Sequence, residues 1–285
     1  MKKLLPILTA LFIFVLILPA RAQDLKKNST VTGVCYAGKK INRFYIPPPA
    51  QFFKKNRSKG GGSITVYYSG FSTQAKFAMD YAVSILQTIL PADTKLTVNA
   101  SWEKISSLGV LAQSTITGYV GGSGIDALNP LAFYPVGLAE KMAGKSFNGD
   151  SVGDITLAVN SSINWYLGTD GQTPVQKYDL VTVVLHEMCH GLGIFDSFSY
   201  DGTFGSYGFG SIPMIYDTFI ENYEGNKLID TLKFLNYSSD LGKQLVGNQL
   251  YFNGPLLEKY SASVYYTNLR AKLYAPATWD PGSSI

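Results

Sequence analysis

The sequence predicts an α+β domain in which a mixed, twisted sheet supports one helix with unusual polar residues. Three observations favour this class. Residues 63–68 alternate polar and apolar side chains, as a strand with one buried face does. Residues 73–90 carry apolar side chains at the spacing of an amphipathic helix. A second helical segment begins at Leu180 and contains both histidines of the chain, His186 and His190.

The chain is long enough to bury a substantial core. It has 285 residues, of which 46% are hydrophobic and 15% charged, so we expect one catalytic domain, or two small lobes, and not a disordered chain. The net charge of +4 includes Lys2, Lys3 and Arg21, and without them it is about +1. We therefore expect a monomer with no nucleic-acid partner.

Residues 1–22 have the features of a secretory signal peptide. Lys2 and Lys3 precede a long apolar run, and Ala20-Arg21-Ala22 provides small residues around a cleavage site. We expect export, to the periplasm or the medium, and a mature chain that begins at Gln23. An uncleaved membrane anchor is the alternative, and no other segment is apolar enough to span a bilayer.

Residues 23–62 are polar and marked by prolines at 47–49 and glycines at 60–62, which favours a pro-region or N-terminal linker. The catalytic domain is then expected to span residues 63–285. Beyond the first strand and helix, the pattern predicts several further elements. These are strands at 95–102, 111–120, 154–160, 250–252 and 272–274, a loop at 197–210 and a helix at 238–246. The strand at 155–159 is expected either to bind an extended peptide at the sheet edge or to be an ordinary inner strand.

The histidines belong to a His-Glu-x-x-His arrangement found in zinc hydrolases. A spacing of four places His186 and His190 on one helix face, where both imidazoles can bind one Zn²⁺ ion. Glu187 can then act as general base on the zinc-bound water and deliver the proton to the leaving amine. The alternative is an amphipathic helix whose histidines merely lie at the edge of the core.

The flanking residues support a well-defined helix. Asp179 can cap its N-terminus, and Gly193 stands where the helix must stop. The motif residues His186, Glu187 and His190 are expected to face a cleft. The opposite face is expected to pack on a core through Val181, Val184, Leu185, Met188 and Leu192.

Residues 186–193 resemble the start of the metzincin signature HExxHxxGxxH, which implies a zincin-like metalloprotease domain. At the third ligand position this chain has Asp196, whose carboxylate can also bind zinc. Residues 182–187 and the glycine-rich, aromatic stretch after Gly193 are similar to the leishmanolysin-like branch, in which a long insert precedes a third histidine. That resemblance implies a third ligand beyond Ile285 and a truncated domain. Another carboxylate is the remaining alternative.

The metzincin resemblance extends to two further features. Residues 211–217 resemble the Met-turn, which implies that Met214 forms a hydrophobic floor beneath the zinc and that Tyr216 hydrogen-bonds the substrate or the oxyanion. The alternative is a turn followed by a buried strand at 212–219.

Some metzincins keep a propeptide thiolate on the zinc until activation, which makes Cys35 a candidate for that role. For Cys189, within the helix, a buried free thiol is favoured over a disulfide with Cys35.

These features together predict a secreted zinc-dependent endopeptidase that acts on proteins or peptides. Two other classes remain open: a catalytically inactive binding protein on a degenerate zincin fold, and a zinc amidase acting on a non-peptide substrate.

Three aspartates near glycines could bind calcium, although aspartates in such positions are more often solvated turn residues. They are Asp150, Asp154 and Asp170.

Overall fold

The computed structural model describes residues 31–37, 47–54, 61–125, 127, 129–149, 152–257 and 270–279. The predicted signal peptide at 1–22 and Asp150 lie outside these residues. The described part is a mixed α+β structure with a mixed sheet, so the coarse fold class is confirmed. None of the described helices is long and apolar enough to cross a lipid bilayer.

Fourteen strands are described, most of them short. In chain order they are β1 (Val31–Tyr36), β2 (Ser63–Ser69), β3 (Lys95–Glu103), β4 (Val110–Ile116), β5 (Tyr119–Gly121), β6 (Phe133–Pro135), β7 (Ile155–Asn160), β8 (Trp165–Tyr166), β9 (Tyr178–Asp179), β10 (Ser199–Tyr200), β11 (Gly205–Ser206), β12 (Ile220–Asn222), β13 (Leu250–Phe252) and β14 (Ala271–Lys272). The α-helices are α1 (Thr73–Ile89), α2 (Val136–Ala143), α3 (Leu180–Gly191) and α4 (Ser239–Leu245). Short 3-10 helices occur at Ala50–Phe53, Gly122–Gly124 and Tyr216–Phe219.

The main sheet has five strands in the order β1-β4-β7-β3-β2. β2, β3 and β7 run parallel, β4 runs antiparallel to β7, and β1 runs antiparallel to β4. β7 is therefore a central strand, and the expectation that residues 155–159 form a peptide-binding edge is wrong. The outer positions belong to β1 and β2.

The largest core lies where α1 and α3 pack against this sheet. The two helices contact each other, and α3 also lies against β1, β4 and β7. Burying these side chains removes apolar surface from water, which stabilises the fold by about 1.5–3 kcal/mol for each large residue. Fully or almost fully buried members of this core are Met79, Leu86, Val98, Leu157, Val184 and Met188.

The predicted strand at 111–120 is divided into β4 and β5. The interruption lies at Thr117, whose hydroxyl donates to the Gly153 carbonyl at 2.7 Å and whose N–H donates to the Asp154 carbonyl at 3.2 Å. These bonds replace the strand ladder at that point. The chain then turns into β5, which pairs with β6 in a separate two-stranded sheet.

A second core lies in the C-terminal part of the described chain. It combines α4 with the three-stranded sheet β12-β13-β14. The predicted helix at 238–246 and strand at 250–252 are confirmed, and the predicted strand at 272–274 is found slightly earlier, as β14. Buried side chains of this core include Ile220, Leu228, Leu241, Leu245 and Leu250.

Candidate metal site

The helix that carries the motif is fixed at both ends, as its sequence predicts. At its start the Asp179 carboxylate accepts hydrogen bonds from the N–H groups of Val181 at 2.9 Å and Thr182 at 3.4 Å. At its end Gly193 has a φ of 102°, a conformation that glycine adopts without strain, and its N–H donates to the His190 carbonyl at 2.9 Å. The chain therefore turns away directly after the second histidine.

The two imidazoles meet through their Nε2 atoms. The Nε2 atoms of His186 and His190 are 2.9 Å apart, close to the separation of about 3.3 Å that a tetrahedral zinc ion imposes on two histidine ligands. The Nδ1 atom of His190 lies 2.9 Å from the Ile194 carbonyl oxygen. That contact favours the proton on Nδ1 and leaves the Nε2 lone pair free for a metal.

Both histidines are held in the neutral form that binds metal ions. Although part of the His186 side chain is exposed, desolvation lowers its pKa to about 4, and neighbouring His190 adds to the shift. Desolvation likewise lowers the pKa of His190, and the Ile194 carbonyl partly opposes that effect. Neutral imidazoles bind a metal ion without first losing a proton.

Glu187 lies between the histidines in sequence but is completely buried. Neither of its carboxylate oxygens has a hydrogen-bond partner among the described residues. Burial raises the pKa of Glu187 to about 8, and the backbone N–H of Cys35 partly opposes that rise. The expectation that this residue faces an open cleft is therefore not met, because β1 covers it.

Cys35 brings a thiol to the same place from β1. Its Sγ atom and the donor atoms of His186 and Glu187 all lie within 4.8 Å of one another. Desolvation, and then the charge of Glu187, raise the pKa of this thiol to about 12. Cys35 and Cys189 are both free cysteines, in agreement with the expectation of a free thiol at Cys189.

Asp196, the predicted third ligand, has other neighbours. Its carboxylate accepts a hydrogen bond from the Phe198 N–H at 2.8 Å. Burial raises the pKa of Asp196 well above its usual range, and the charge of Asp217 adds to the rise. Among the described residues, the group whose donor atoms converge within 4.8 Å does not include Asp196. Its role as a zinc ligand stays a prediction.

The segment around Met214 forms a tight turn that depends on Asp217. The Asp217 carboxylate accepts hydrogen bonds from the N–H groups of Met214 at 2.7 Å and Ser197 at 2.9 Å, and from the Ser197 hydroxyl. Burial raises the pKa of Asp217 to about 6. No role was predicted for this residue, although its carboxylate reaches back to the N–H three residues earlier, as the acidic residue of a capping box does.

The two residues of this turn that were predicted to act at the zinc are both partly or fully buried. The Met214 side chain packs against Tyr119 and Phe133 and is almost completely buried. The Tyr216 ring stacks on Phe252 with 4.9 Å between the ring centroids. Desolvation, and then Asp196, raise the pKa of Tyr216. The metal-floor and substrate-binding roles of Met214 and Tyr216 stay predictions.

The described calcium candidates accept hydrogen bonds from the protein itself. Asp154 accepts from the Thr97 N–H at 2.8 Å and from the Asn148 side-chain amide at 3.0 Å. Asp170 accepts from the Tyr166 hydroxyl at 2.5 Å and the Gln172 N–H at 3.0 Å. These contacts fit the reading of Asp154 and Asp170 as residues that hold local structure.

A family model described as SPBPB7E8-like matches residues 133–251. This range includes α3 with the paired histidines and the turn at Met214, and it covers less than half of the chain. No curated protein and no solved structure shows a match to the chain.

Proposed function

We propose that the protein is an exported zinc-dependent endopeptidase with a zincin-like domain. One observation carries the proposal: the Nε2 atoms of His186 and His190 converge beside Glu187, a buried carboxyl group without a hydrogen-bond partner. Buried polar groups in folded proteins are nearly always paired, and an exception commonly marks a position where a ligand completes the contacts. A metal ion and its solvent would do so here.

The residues present suit zinc. Two neutral imidazoles with converging Nε2 atoms are preferred zinc ligands, and the Ile194 carbonyl fixes the ring of His190 in the orientation that binding requires. Cys35 offers a third donor while β1 is in place. A zinc ion bound there supplies a Lewis acid for the hydrolysis of an amide bond.

Glu187 would perform the proton transfers. In the vicinity of a divalent cation its raised pKa falls, so that the carboxylate form becomes available at neutral pH. The carboxylate would take a proton from the attacking water and deliver it to the amine that leaves. Its burial excludes competing solvent, which strengthens the electrostatic interactions of the reacting groups.

Metal content and peptide cleavage together test this proposal. The full chain, its mature form from Gln23, and the variants Glu187→Gln, His186→Ala and Asp196→Ala are compared. We expect near-stoichiometric zinc in the wild type and in Glu187→Gln, and loss of zinc from His186→Ala. Cleavage of casein is expected only from forms that retain both zinc and Glu187. Absence of zinc from the wild type, or unchanged cleavage by Glu187→Gln, would contradict the proposal.

A non-catalytic binding protein is the second candidate. It is favoured by the absence of a third histidine or carboxylate near the histidine pair, apart from Glu187, among the described residues. The Asp196→Ala variant separates the two candidates. Loss of zinc and of cleavage in this variant would support a complete catalytic site. A folded wild type that neither retains zinc nor cleaves peptides would favour the binding protein.

A further inference from the structure

One edge strand of the main sheet lies directly over the motif helix. β1 pairs antiparallel with β4, and this register sets Gly33 opposite Ser114 and Cys35 opposite Ala112. Residues two apart in a strand share a face, so Gly33 and Cys35 lie on the same side of β1. That side is turned towards α3, since Gly33 contacts His190 and Cys35 contacts Glu187.

The contact between β1 and α3 leaves no room for a side chain at Gly33. A Cβ atom at this position would lie 2.8 Å from Cδ2 and 2.9 Å from Cγ of His190. Two residues later, the Cys35 thiol occupies the space beside His186 and Glu187. A peptide bond that is to be hydrolysed must enter this same space, so the docked β1 strand and a substrate exclude each other.

β4 presents the backbone that such a substrate needs. In the described structure its N–H and C=O groups on this side are paired with β1, and its side chains are mostly buried. The Ser114 hydroxyl, opposite Gly33, is buried without a hydrogen-bond partner. If β1 were displaced, β4 would become an unpaired sheet edge, which is a template for an extended peptide.

We propose that β1 is an internal pseudo-substrate that holds the place of an extended peptide paired antiparallel with β4, with a glycine against His190. This inference rests on the proposed endopeptidase function and adds two properties to it. The substrates are extended segments with glycine at the position that Gly33 occupies. The chain is least active while β1 is docked, and it becomes active when β1 leaves the edge.

A reversible crosslink between the two strands tests the second property in the full chain. Thr32 and Thr115 are paired in the register, and their hydroxyl oxygens are 2.8 Å apart. The double variant Thr32→Cys with Thr115→Cys is oxidised to lock β1 on β4 and then reduced with a phosphine. We expect the oxidised form to cleave peptides at least about tenfold more slowly than the reduced form, with equal zinc content. The wild type, treated in the same way, is the control.

Substitutions at Gly33 in the chain test the second property again, and the same substitution in a peptide tests the first. Gly33→Ala and Gly33→Val should displace β1 because the added atoms overlap His190, and cleavage should rise, by about tenfold or more for the valine variant. Thr32→Val, on the opposite face of β1, should change cleavage far less. A peptide of residues 30–37 carrying Cys35→Ser should inhibit the Gly33→Val chain, and the same peptide with Gly33→Val should not.

The outcomes separate this inference from the proposed function. If the wild type binds zinc and cleaves peptides, but the locked chain is as active as the reduced one, the pseudo-substrate proposal is wrong and the endopeptidase proposal stands. If Gly33→Val unfolds, the crosslink alone decides between docked and released β1. If no form binds zinc or cleaves peptides, both proposals are overturned.

Discussion

At the scale of single residues, the burial of Glu187 lowers the stability of the folded protein. Its carboxyl group is removed from water, and the described residues offer neither oxygen a hydrogen bond. An unsatisfied buried polar group costs about 1–3 kcal/mol. Folded proteins tolerate such a cost mainly at functional positions, where a ligand supplies the missing partners. We therefore predict that Glu187 belongs to a metal site, and not to a helix whose histidines have only a packing role.

Asp154 should make the stability of the protein depend on pH. Burial raises its pKa from 3.8 to about 6, and Glu140 adds to the rise while the Thr97 N–H opposes it. Because the folded-state pKa lies above the unfolded one, the stability that protonated Asp154 contributes is complete below pH 3.8 and is lost as the pH rises through about 6. The wild type should therefore lose up to about 3 kcal/mol of stability over this pH range. Asp154→Asn should not show this loss.

Urea unfolding at pH 4 and pH 7 measures this difference. Asp240→Asn, at an exposed position of α4, is a suitable control because it should leave the pH dependence of the wild type intact. An equal loss of stability between the two pH values in Asp154→Asn and the wild type would show that Asp154 is not the responsible group.

Asp217 should be essential for the turn at Met214. Asp217→Ala leaves the buried N–H groups of Met214 and Ser197 without their acceptor, so we expect the free energy of unfolding to fall by about 3 kcal/mol or more. Asp217→Asn retains one oxygen and should lose less. Chemical denaturation of both variants tests the prediction, and equal stability of the alanine and asparagine variants would count against it.

At the scale of elements, α3 shows which local features a sequence reveals. The Asp179 cap, the apolar face and the stop at Gly193 were all predicted and are confirmed, because each depends on residues within the helix or next to it. The covering of Glu187 was not predicted. It depends on β1, a segment far away in the chain whose contact with α3 leaves no trace in the motif itself.

The cap of α3 should contribute measurably to stability. Asp179→Ala removes the acceptor of the Val181 and Thr182 N–H groups, and loss of an N-cap costs about 0.5–2 kcal/mol. Asp179→Asn keeps an oxygen in place and should restore most of the loss. Thermal unfolding in the presence of a chelator, so that metal binding does not hide the difference, measures the effect. Identical melting of all three proteins would mean that the cap has no energetic role.

β1 shows what sequence reasoning missed. Residues 23–62 were predicted as a pro-region or linker because prolines, glycines and polar residues dominate them. Within this segment, Val31–Tyr36 is rich in β-branched and aromatic residues, which is a strand signal. The glycine weakened that signal, and the contact with His190 explains why glycine is present.

At the scale of the whole molecule, a separate buried cluster around Met214 accompanies the two larger cores. Ile116 at the end of β4 and Tyr119 belong to this cluster together with Phe133 and Met214. The order of strands in the main sheet could not be predicted, because nothing in the pattern of β7 distinguishes a central strand from an edge strand. Most of the larger elements could be predicted from apolar periodicity, but β1 and the eight-residue helix α2 were missed.

Removal of zinc should destabilise the entire molecule. A ligand that binds only the folded state adds about 4 kcal/mol when its free concentration is a thousand times its dissociation constant. A chelator should therefore lower the melting temperature of the wild type, and zinc should restore it. His186→Ala should melt at the same temperature with and without chelator. A wild type that is indifferent to the chelator would argue against a resident metal ion.

The pairing of β1 with β4 also constrains the order in which the chain can fold. β1 precedes every other described element, yet its partner in the sheet is β4, and Val31 pairs with Ile116. Closing so long a loop is entropically unfavourable until β4 has formed on β7, so we expect β1 to dock late, after the sheet that receives it. During folding the helix with the histidines would then be uncovered first and covered afterwards, and we expect a metal ion to have access to it in that interval.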